Sequence, residues 1–467
     1  MVFLAEKLGE YISDVNYKDI PVNVTKHAKF CLLDALGVAL ASADKKWCRA
    51  VHDYVVHQGG TAEATVWYHG DRVPDTNAAL ANAMFVHSMD FNDDLAGIQV
   101  GGIIPPSALA IAESVGATGE EVIAAIVIGY DVATRCAVAI NSQGLYMRGL
   151  QPTAVCGAFA AAAIAGRLLK LSPSTIAYAF GIAGSYAGGT TEFLKEGTDT
   201  KRFHVAKAAH GGLISAHLAN RGMTGPKSIF EGEHGVFKAY SENFQPDCLV
   251  EELGSRYDIL DTSIKLYPFC DGNAAPLEAA LAIMRENSLH VDELKTLHFR
   301  MKSFLIPYVV NYHGDKERKY RPQNELDGQM SLPFCLAVGI LNNGKVKPTD
   351  FNIAQLSDPK ILALANKVTA EADTELDKIP LKPMSMPTIA TITLKDGRKI
   401  EKRVDHQKGD PRNPFSDQDF INKFNECTNN ILSSKAQAAA LKNVLGLEKQ
   451  ETVKSLINYL IRQKVNR

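Results

Sequence analysis

Lys195-Glu-Gly-Thr-Asp-Thr-Lys-Arg-Phe-His204 runs directly into Val205-Ala-Lys-Ala-Ala-His-Gly-Gly-Leu-Ile-Ser-Ala-His-Leu218, and the rest of the chain is organised around this stretch. Its Gly-Thr-Asp-Thr residues predict that a loop ends here and a helix begins. Lys201 and Arg202 stand at that helix start, where a cation opposes the helix macrodipole. The small residues that follow let other backbones approach closely, so we expect a buried helix with a lysine at its N-terminus. This arrangement indicates a site for an anion or carboxylate, and the alternative is an exposed loop lysine.

Helical patterns extend from the N-terminus to about residue 257, on both sides of this stretch. Val24 to Ala41 has apolar residues at helical spacing, and Asn77 to His87 is an Ala-rich helix with Thr76 as a possible cap. Thr118-Gly-Glu-Glu121 has the form of a capping box before a long apolar helix. Runs of β-branched residues are missing between these helices. The pattern therefore excludes a doubly wound sheet and predicts an all-α region.

The pattern changes at about residue 258, where strands and helices alternate. Thr296 to Lys302 alternates as a strand does, and Thr388 to Val404 predicts a hairpin with an Asp-Gly turn. A helical segment is expected over Asp358–Asp373. Helical patterns return from Ser416 onward.

These patterns together predict a mainly α protein with two domains. A large all-helical domain is formed by both chain ends, residues 1–257 and 413–467. A smaller α+β lid domain, residues 258–412, is inserted between them. We expect boundaries good to a few positions only.

Composition narrows the class of protein. The 467 residues are 46% hydrophobic, enough for sizeable cores, and the net charge of −2 gives no electrostatic reason to expect nucleic acid or an anionic membrane as a partner. No stretch of about 18 uncharged apolar residues indicates a membrane span, and charges come too early for a signal peptide. The eight cysteines are scattered without metal-type pairing. We therefore expect a reduced, cytoplasmic enzyme without a structural metal.

Five short motifs, in order along the chain, carry a resemblance to a known family. They are His87-Ser-Met-Asp-Phe-Asn-Asp-Asp94, Lys201-Arg-Phe-His204, Glu231-Gly-Glu-His-Gly235, Lys265-Leu-Tyr-Pro-Phe-Cys270 and Gly409-Asp-Pro-Arg-Asn-Pro-Phe-Ser416. The chain resembles the MmgE/PrpD family, which includes 2-methylcitrate dehydratase, cis-aconitate decarboxylase and iminodisuccinate epimerase. The resemblance implies a helical domain with a lid, a homodimer, and no metal or organic cofactor.

The resemblance also implies a chemistry that begins with removal of a proton next to a carboxylate of a small acid. Such a reaction needs a positioned base and cations that hold the developing enediolate charge. Asp90 matches the family's aspartate and Lys201 matches its lysine. Tyr146 is a candidate acid, so we expect Lys201, Asp90 and Tyr146 to be the catalytic residues.

The chain departs from the family pattern at several positions. A His-Pro pair is usual where this chain has Gln99-Val-Gly-Gly102, and Gln151 and Ala274 stand where histidines are usual. Asp94 replaces a common threonine. At least three histidines of the family pattern are therefore absent from this chain. Their imidazole groups would have titrated near neutral pH. Gln151 and Asn273 can hydrogen-bond a carboxylate but cannot transfer protons.

The remaining candidates are expected to bind the substrate: Arg202, Arg148, Gln151, Asp94, His87, His204, Cys270 and Asn273. Each has a structural alternative. Asp90 could only cap or pair locally, and Cys270 could be an inert small residue. His204 could make a structural hydrogen bond, while His87 could hold the loop that follows it.

Three functions stay open at this point. The first is a lyase, a dehydratase or decarboxylase acting on a small di- or tricarboxylic acid. The second is an epimerase or isomerase of a small dicarboxylate, which the missing histidines favour because no hydroxyl must be protonated. The third is a non-catalytic dimeric relative that binds a carboxylate. The family places the lyase first, and the sequence does not identify the substrate.

Overall fold

The computed structural model describes residues 2–311, 316–380 and 385–462, and it is mostly helical with a small sheet. The longer helices of the N-terminal half are α1 Leu4–Asp14, α2 Val22–Ser42, α3 Lys46–Gln58, α4 Asp75–His87, α5 Ile104–Val115, α6 Gly119–Ile140, α7 Pro152–Leu168, α8 Pro173–Ala183 and α9 Thr200–Asn220. The later ones are α10 Ala274–Glu286, α11 Leu332–Leu341, α12 Pro359–Ala365, α13 Asp417–Thr428 and α14 Ser434–Leu445. Short helical turns connect many of them.

The strands form two sheets, one of them very small. They are β1 Ala64–Thr65, β2 Arg72–Val73, β3 Leu294–Met301, β4 Val368–Ala372, β5 Thr388–Leu394 and β6 Lys399–Val404. The first two form an antiparallel ladder, a minor exception to the predicted all-α region. The other four have the order β4-β3-β5-β6, with β3 and β4 parallel and the other neighbours antiparallel.

Local sequence signals placed most of these elements correctly. The Thr118 hydroxyl accepts a hydrogen bond from the Glu121 amide, and the Glu121 carboxylate accepts one from the Thr118 amide, which confirms the capping box. The hairpin of β5 and β6 is also confirmed, with Gly397 at φ +93° in its turn. The prediction of Thr76 as a cap is wrong, because α4 begins at Asp75 and Thr76 lies within its first turn.

The helix expected over Asp358–Asp373 is wrong in its second half. The helical part ends at Ala365, and Val368 to Ala372 form β4 instead. This strand pairs with β3, placing Leu297 opposite Val368. The backbone hydrogen bonds of that pairing and the burial of Val368 outweigh the local helical pattern, as tertiary context often does for short segments.

Helix α9, the continuation of the opening stretch, lies inside the helical core and packs against α4, α7 and α8. Its small residues are required there. A Cβ on Gly212 would lie 2.6 Å from the carbonyl oxygen of Ala158 in α7. The expectation of a buried helix built for close approach is confirmed.

Buried apolar side chains form two main clusters. One includes residues from Leu4 to Ile264 and from Phe415 to Leu460, and the other includes residues from Tyr267 to Leu394. The C-terminal helices α13 and α14 pack on α2, near the start of the chain. The division into domains 1–257 with 413–467 and 258–412 stays a prediction.

Helix α6 is long and apolar enough to cross a membrane by length and composition alone. Its most apolar window is 94% buried inside the protein, so packing in the core accounts for its composition. A single helix of this kind is a weak indication of a span. The cytoplasmic localisation and the homodimer stay predictions.

Two ion pairs join α2 to α13, one of them buried and the other on the surface. Lys423 Nζ lies 2.6 Å from Asp34 Oδ1 with both side chains almost fully buried, whereas Lys26 pairs with Asp417 at 2.8 Å on the surface. Lys423→Met leaves the Asp34 carboxylate buried without its cation. We expect a loss of about 3–5 kcal/mol in the free energy of unfolding at neutral pH, measured by urea denaturation.

The matched control is Lys26→Met, for which we expect a loss below about 1 kcal/mol. Burial already raises the pKa of Asp34 despite the nearby Lys423 ammonium. The cost of Lys423→Met should therefore shrink as the pH falls and the carboxylate takes up a proton. Equal losses in the two variants would show that α13 does not depend on the buried pair.

Candidate active site

The loop after α4 places one carboxylate in the protein interior. Asp90 lies three residues beyond the end of that helix, with φ +52°, in the left-handed region that Asp tolerates better than most residues. Its side chain is only 3% exposed. A buried carboxylate requires a cationic partner or several hydrogen-bond donors, and Asp90 has both.

Two lysines from distant parts of the chain meet at Asp90. Lys201 Nζ lies 2.8 Å from Asp90 Oδ1, and Lys265 Nζ lies 3.1 Å from the same oxygen. Lys265 also donates to the carbonyl oxygens of Asp90, at 3.1 Å, and of Phe269, at 3.3 Å. Both lysines are buried. The cluster therefore brings two buried lysine side chains into contact with one carboxylate.

The charges in this cluster shift the pKa of each member. Burial by itself would raise the pKa of Asp90, but the ammonium groups of Lys201 and Lys265 hold it well below its usual value. Burial lowers the pKa of Lys201, and Lys265 lowers it further against the opposing effect of Asp90. For Lys265 the penalty of burial is outweighed by Asp90 and Asp271, so its pKa is raised. Lys201 is therefore the lysine closer to losing its proton.

A cavity of about 300 Å³ opens at this cluster, with walls from both apolar cores. The sequence-predicted residues that line it are Lys201, Asp90, Tyr146, Gln151, Asp94 and Cys270. Its volume is at the lower end of the range for small-molecule sites. The rings of Tyr146 and Tyr308 both line the cavity and pack edge-on, with centroids 4.8 Å apart. The chain therefore brings six of the predicted residues to one cavity.

Asp94 is an acid in a site that disfavours its ionised form. Burial and the nearby carboxylates of Asp271, Asp90 and Asp93 raise its pKa to about 8, against the opposing effect of Lys265. Its Oδ1 atom is buried without a hydrogen-bond partner in the described part of the chain. Asp94 is therefore protonated near neutral pH and can donate a proton.

Gln151 and His204 form one hydrogen-bonded unit beside the cavity. Gln151 precedes α7, and its amide oxygen lies 2.7 Å from His204 Nδ1. Burial and the nearby Lys207 lower the pKa of His204 to about 4, so the neutral ring donates from Nδ1. His204 itself does not line the cavity. Its position fits a structural hydrogen bond that holds Gln151 in place.

His87 and Asn273 also lie behind the cavity wall. His87 is fully buried, its Nδ1 lies 2.9 Å from Asn92 Oδ1, and burial with the Lys201 charge lowers its pKa to about 3. Asn273 is fully buried at the turn before α10. Neither side chain lines the cavity, so direct substrate contact by either residue has no support from the structure.

Two predicted arginines lie elsewhere. Arg202 is fully buried, donates to the Ser88 carbonyl oxygen at 2.6 Å and stacks 4.0 Å above the ring of Trp47. Arg148 is exposed and pairs with Glu242 at 3.3 Å. Neither lines the cavity, so the structure gives no support to a substrate carboxylate held by these arginines, and that expectation stays a prediction. Arg202 instead ties the start of α9 to the loop after α4.

Three functional candidates were not singled out from the sequence. Lys265 is the first residue of one of the quoted motifs. That position was the only indication in the sequence that it belongs to the site. Gln99 donates from Nε2 to Asp90 Oδ1 at 2.7 Å and lies 3.5 Å from Lys201 Nζ through its oxygen. Asp271 follows the motif cysteine, and burial raises its pKa to about 6. All three depend on contacts between segments that are far apart in sequence.

Within the described ranges, no group of three or more His, Cys, Asp and Glu side chains is placed to hold a metal ion. The free cysteines of this part of the chain are mostly buried. The expectation of a reaction without metal or organic cofactor stays a prediction.

Comparison with known families covers nearly the whole chain. The N-terminal domain of the MmgE/PrpD family matches residues 6–249, and the C-terminal domain of that family matches residues 267–449. The chain belongs to the MmgE/PrpD family. The resemblance predicted from the five motifs is therefore confirmed.

Curated relatives in this family are similar along their full length. The cis-aconitate decarboxylase-like protein oryM of Aspergillus oryzae is 26% identical over 97% of this chain and 96% of its own. Human cis-aconitate decarboxylase is 26% identical over 98% of this chain and 94% of its own. The Aspergillus terreus enzyme is 24% identical over 98% of this chain and 96% of its own. This MmgE/PrpD protein thus has decarboxylases among its relatives.

The unusual acid Asp94 has a consequence for stability. Its pKa in the folded protein, about 8, lies above its usual 3.8, so unfolding releases a proton between these values. The native state should therefore lose stability as the pH rises from about 4 to about 8. Asp94→Asn removes the charge and should stabilise the protein by more than about 1 kcal/mol at pH 8, with little effect at pH 4.

Thermal unfolding of both proteins across this pH range measures the effect. Asp417→Asn changes an exposed carboxylate and should alter the stability by less than about 0.5 kcal/mol at either pH. A pH-independent difference between Asp94→Asn and the parent would mean that the pKa of Asp94 is the same in the folded and the unfolded protein.

Proposed function

We propose that this protein is a cofactor-independent lyase that breaks a bond next to a carboxylate of a small di- or tricarboxylic acid, with decarboxylation as the first candidate reaction. The observation that carries the proposal is the pairing of Lys201 and Lys265 with the single carboxylate of Asp90 at the cavity. The names of the relatives given above support the choice of decarboxylation.

Decarboxylation requires positive charge near the carbon that loses carbon dioxide, and the lysines of the site supply it. When carbon dioxide leaves, the electron pair of the broken carbon–carbon bond stays on the substrate and is delocalised into a neighbouring carboxylate as an enediolate. Ammonium groups in a water-poor cavity stabilise that charge far better than bulk water does. Lys201 lines the cavity, and Lys265 stands directly behind Asp90. The reaction is completed by a proton delivered to carbon.

Two groups in the cavity have shifted pKa values that suit delivery of that proton. Lys201 has a lowered pKa, which makes its ammonium a better acid than an ordinary lysine. Asp94 is the other donor, since its pKa of about 8 keeps it protonated at neutral pH. Tyr146 lines the same cavity and is a third candidate. Asp90 orients Lys201 and holds it charged until the proton is needed.

Dehydration makes a further demand that this site meets less well. A departing hydroxyl needs its own proton while a base removes another from carbon, so two separate transfers are required. Gln99 and Gln151, which occupy the cavity near Lys201, cannot transfer protons. The proposal therefore ranks decarboxylation above dehydration.

The other two hypotheses are weaker. The decarboxylases among the relatives give no support to the epimerase alternative. A non-catalytic relative would have no need for a buried lysine with a lowered pKa, and such groups are concentrated at functional sites. We also propose a homodimer, which the family implies, and a cytoplasmic location, which rests on the scattered cysteines and the early charges of the sequence.

The proposal is tested with purified protein in deuterium oxide and a panel of small di- and tricarboxylates, including cis-aconitate. Decarboxylation releases carbon dioxide and leaves one solvent deuterium on the carbon that received the proton. Carbon dioxide release and mass analysis of the product measure both. Exchange of deuterium with no carbon dioxide and no dehydration would favour an epimerase, whereas binding without either reaction would favour the non-catalytic alternative.

Lys201 is the residue on which turnover should depend most. Lys201→Met removes the ammonium group and should lower kcat by roughly two or more orders of magnitude, the usual scale for a lost acid or base. Lys201→Arg should also be poor if proton transfer is its role, because a guanidinium group keeps its proton near neutral pH.

A matched control is Lys207→Met, on the same helix but outside the cavity, which should keep near-normal turnover. An active Lys201→Arg protein would show that position 201 supplies only positive charge. Asp94 would then be the better candidate for the proton donor.

The missing imidazoles give a further expectation. If the loss of these imidazoles removed acid catalysis of hydroxyl departure, citrate and 2-methylcitrate should be dehydrated poorly or not at all. Absorbance of the unsaturated product measures the rate. Gln151→His alone should not create the activity, since the other histidines would still be absent; substantial turnover by the parent protein would mean that Asp94 or Cys270 supplies the proton.

A further inference from the structure

A second cavity adjoins the one that contains Lys201. Its volume is about 570 Å³, and its walls include Lys302, Asp377 and Lys378. Gln143 and Phe304 line both cavities, and Gln143 is exposed. The second cavity therefore lies beside the first, at a place where their common wall reaches the protein surface.

One short segment of chain contributes to both cavities. Strand β3 ends at Met301, and the segment begins with the next residue. Lys302 lines the second cavity, Leu305 lines the first, and Phe304 lines both. The side chains of Phe304 and Gln143 therefore mark the boundary between the two cavities.

Lys302 is a buried cation that has no acidic partner among the described residues. It is 2% exposed, and within the described ranges the one hydrogen bond of its ammonium group goes to the carbonyl oxygen of Ile379. The Asp377 carboxylate instead accepts from the Ser303 amide at 2.8 Å and from the Ser303 hydroxyl at 2.5 Å. Burial lowers the pKa of Lys302, and the charge of Asp377 opposes this effect without reversing it. An ammonium group has three N–H donors, so others remain for a ligand.

Lys378 lines the same cavity but already has an acidic partner. Its Nζ lies 2.8 Å from both carboxylate oxygens of Glu375, and its side chain is 70% exposed. Solvent screens such a surface pair, so Lys378 adds little attraction for a further anion. A buried ammonium without an ion pair is costly, and an anion beside Lys302 would offset that cost. An anion in the second cavity should therefore bind at Lys302.

We propose that Lys302 forms a second carboxylate site, which binds the substrate acid at the entrance before the acid passes Phe304 and Gln143 to reach Lys201. The identity of the acid rests on the proposed function, whereas the anion site at Lys302 does not depend on it. A fixed positive charge in a cleft raises the local concentration of anions and their rate of association. The amide of Gln143 supplies an N–H that a carboxylate accepts. Because Lys302 acts before the chemical step, it affects capture of the acid and not its conversion.

Steady-state kinetics on an acid that the protein turns over separate capture from conversion. Lys302→Met keeps the length of the side chain and removes its charge. It should lower kcat/KM by about five- to tenfold and leave kcat within about twofold of the parent value. Lys302→Arg keeps the charge and should restore most of kcat/KM. An unchanged kcat/KM in Lys302→Met, or an equal fall in kcat, would overturn the proposal.

Lys378→Met is the matched control, because it removes a lysine of the same cavity that is already paired with Glu375. Its kcat/KM should stay within about twofold of the parent value. For the parent, kcat/KM should also fall as the ionic strength rises from about 0.05 to about 0.5 M, and this fall should be smaller in Lys302→Met. Equal losses in the two methionine variants would indicate a general effect of surface charge and would overturn the site.

Binding of succinate to Lys201→Met protein tests the site without any reaction. This variant lacks the ammonium group that lines the first cavity, so isothermal titration calorimetry reports the binding that remains. Adding Lys302→Met should weaken that binding by at least about fivefold, whereas adding Lys378→Met should leave it unchanged. No remaining binding, or binding that is insensitive to Lys302, would overturn the anion site. Inorganic phosphate serves as a second probe, and tighter binding of phosphate than of succinate would overturn the assignment to a carboxylate.

These measurements separate the entrance site from the proposed function. Succinate binding that depends on Lys302, with no turnover of any acid in the panel, would leave the anion site standing and overturn the lyase. Turnover with a kcat/KM that Lys302→Met does not change would support the lyase and overturn the entrance site.

Discussion

The buried ionic cluster of Asp90, Lys201 and Lys265 is the interaction on which the site and much of its surroundings depend. No member of the cluster could be buried alone, because an isolated ion loses several kcal/mol of hydration in the interior. Each is tolerated because the others are present. Lys201 lies in the first turn of α9, Asp90 follows α4, and Lys265 precedes the second apolar core in the chain. The cluster therefore fixes how three distant segments meet at the cavity.

This arrangement also separates the proton affinities of the groups around the cavity. The pKa of Lys201 is lowered by burial and by Lys265, while burial and neighbouring carboxylates raise that of Asp94 to about 8. Pairs of groups whose environments push their pKa values toward neutrality are a common basis for acid–base chemistry. Here the lowered pKa of Lys201 makes its ammonium group a stronger acid than an ordinary lysine, and the pKa of Asp94 is raised to about 8. The lost imidazoles therefore do not leave the site without proton donors.

Adjacent residues at the opening stretch have different roles for a simple geometric reason. Successive side chains on an α-helix point about 100° apart. When Lys201 faces the cavity, Arg202 faces Trp47 and the loop after α4. The sequence shows two cations at a helix start but not which one faces the ligand. Deciding that requires the neighbouring helices, and the same limit applies to Arg148, whose side chain lies on the surface.

The sequence by itself determined the features that depend on neighbours along the chain. The capping box at Thr118, the Asp-Gly hairpin and the small-residue helix α9 follow from local rules, and the motif order identified the family. Tertiary structure alone decided that Lys265 and Gln99 belong to the site, and that His87, His204 and Asn273 stand behind it. The reason is physical: the pKa values and contacts depend on burial and on charges across space, and Asp90 meets lysines 111 and 175 residues away along the chain. No periodicity or local motif records such distances.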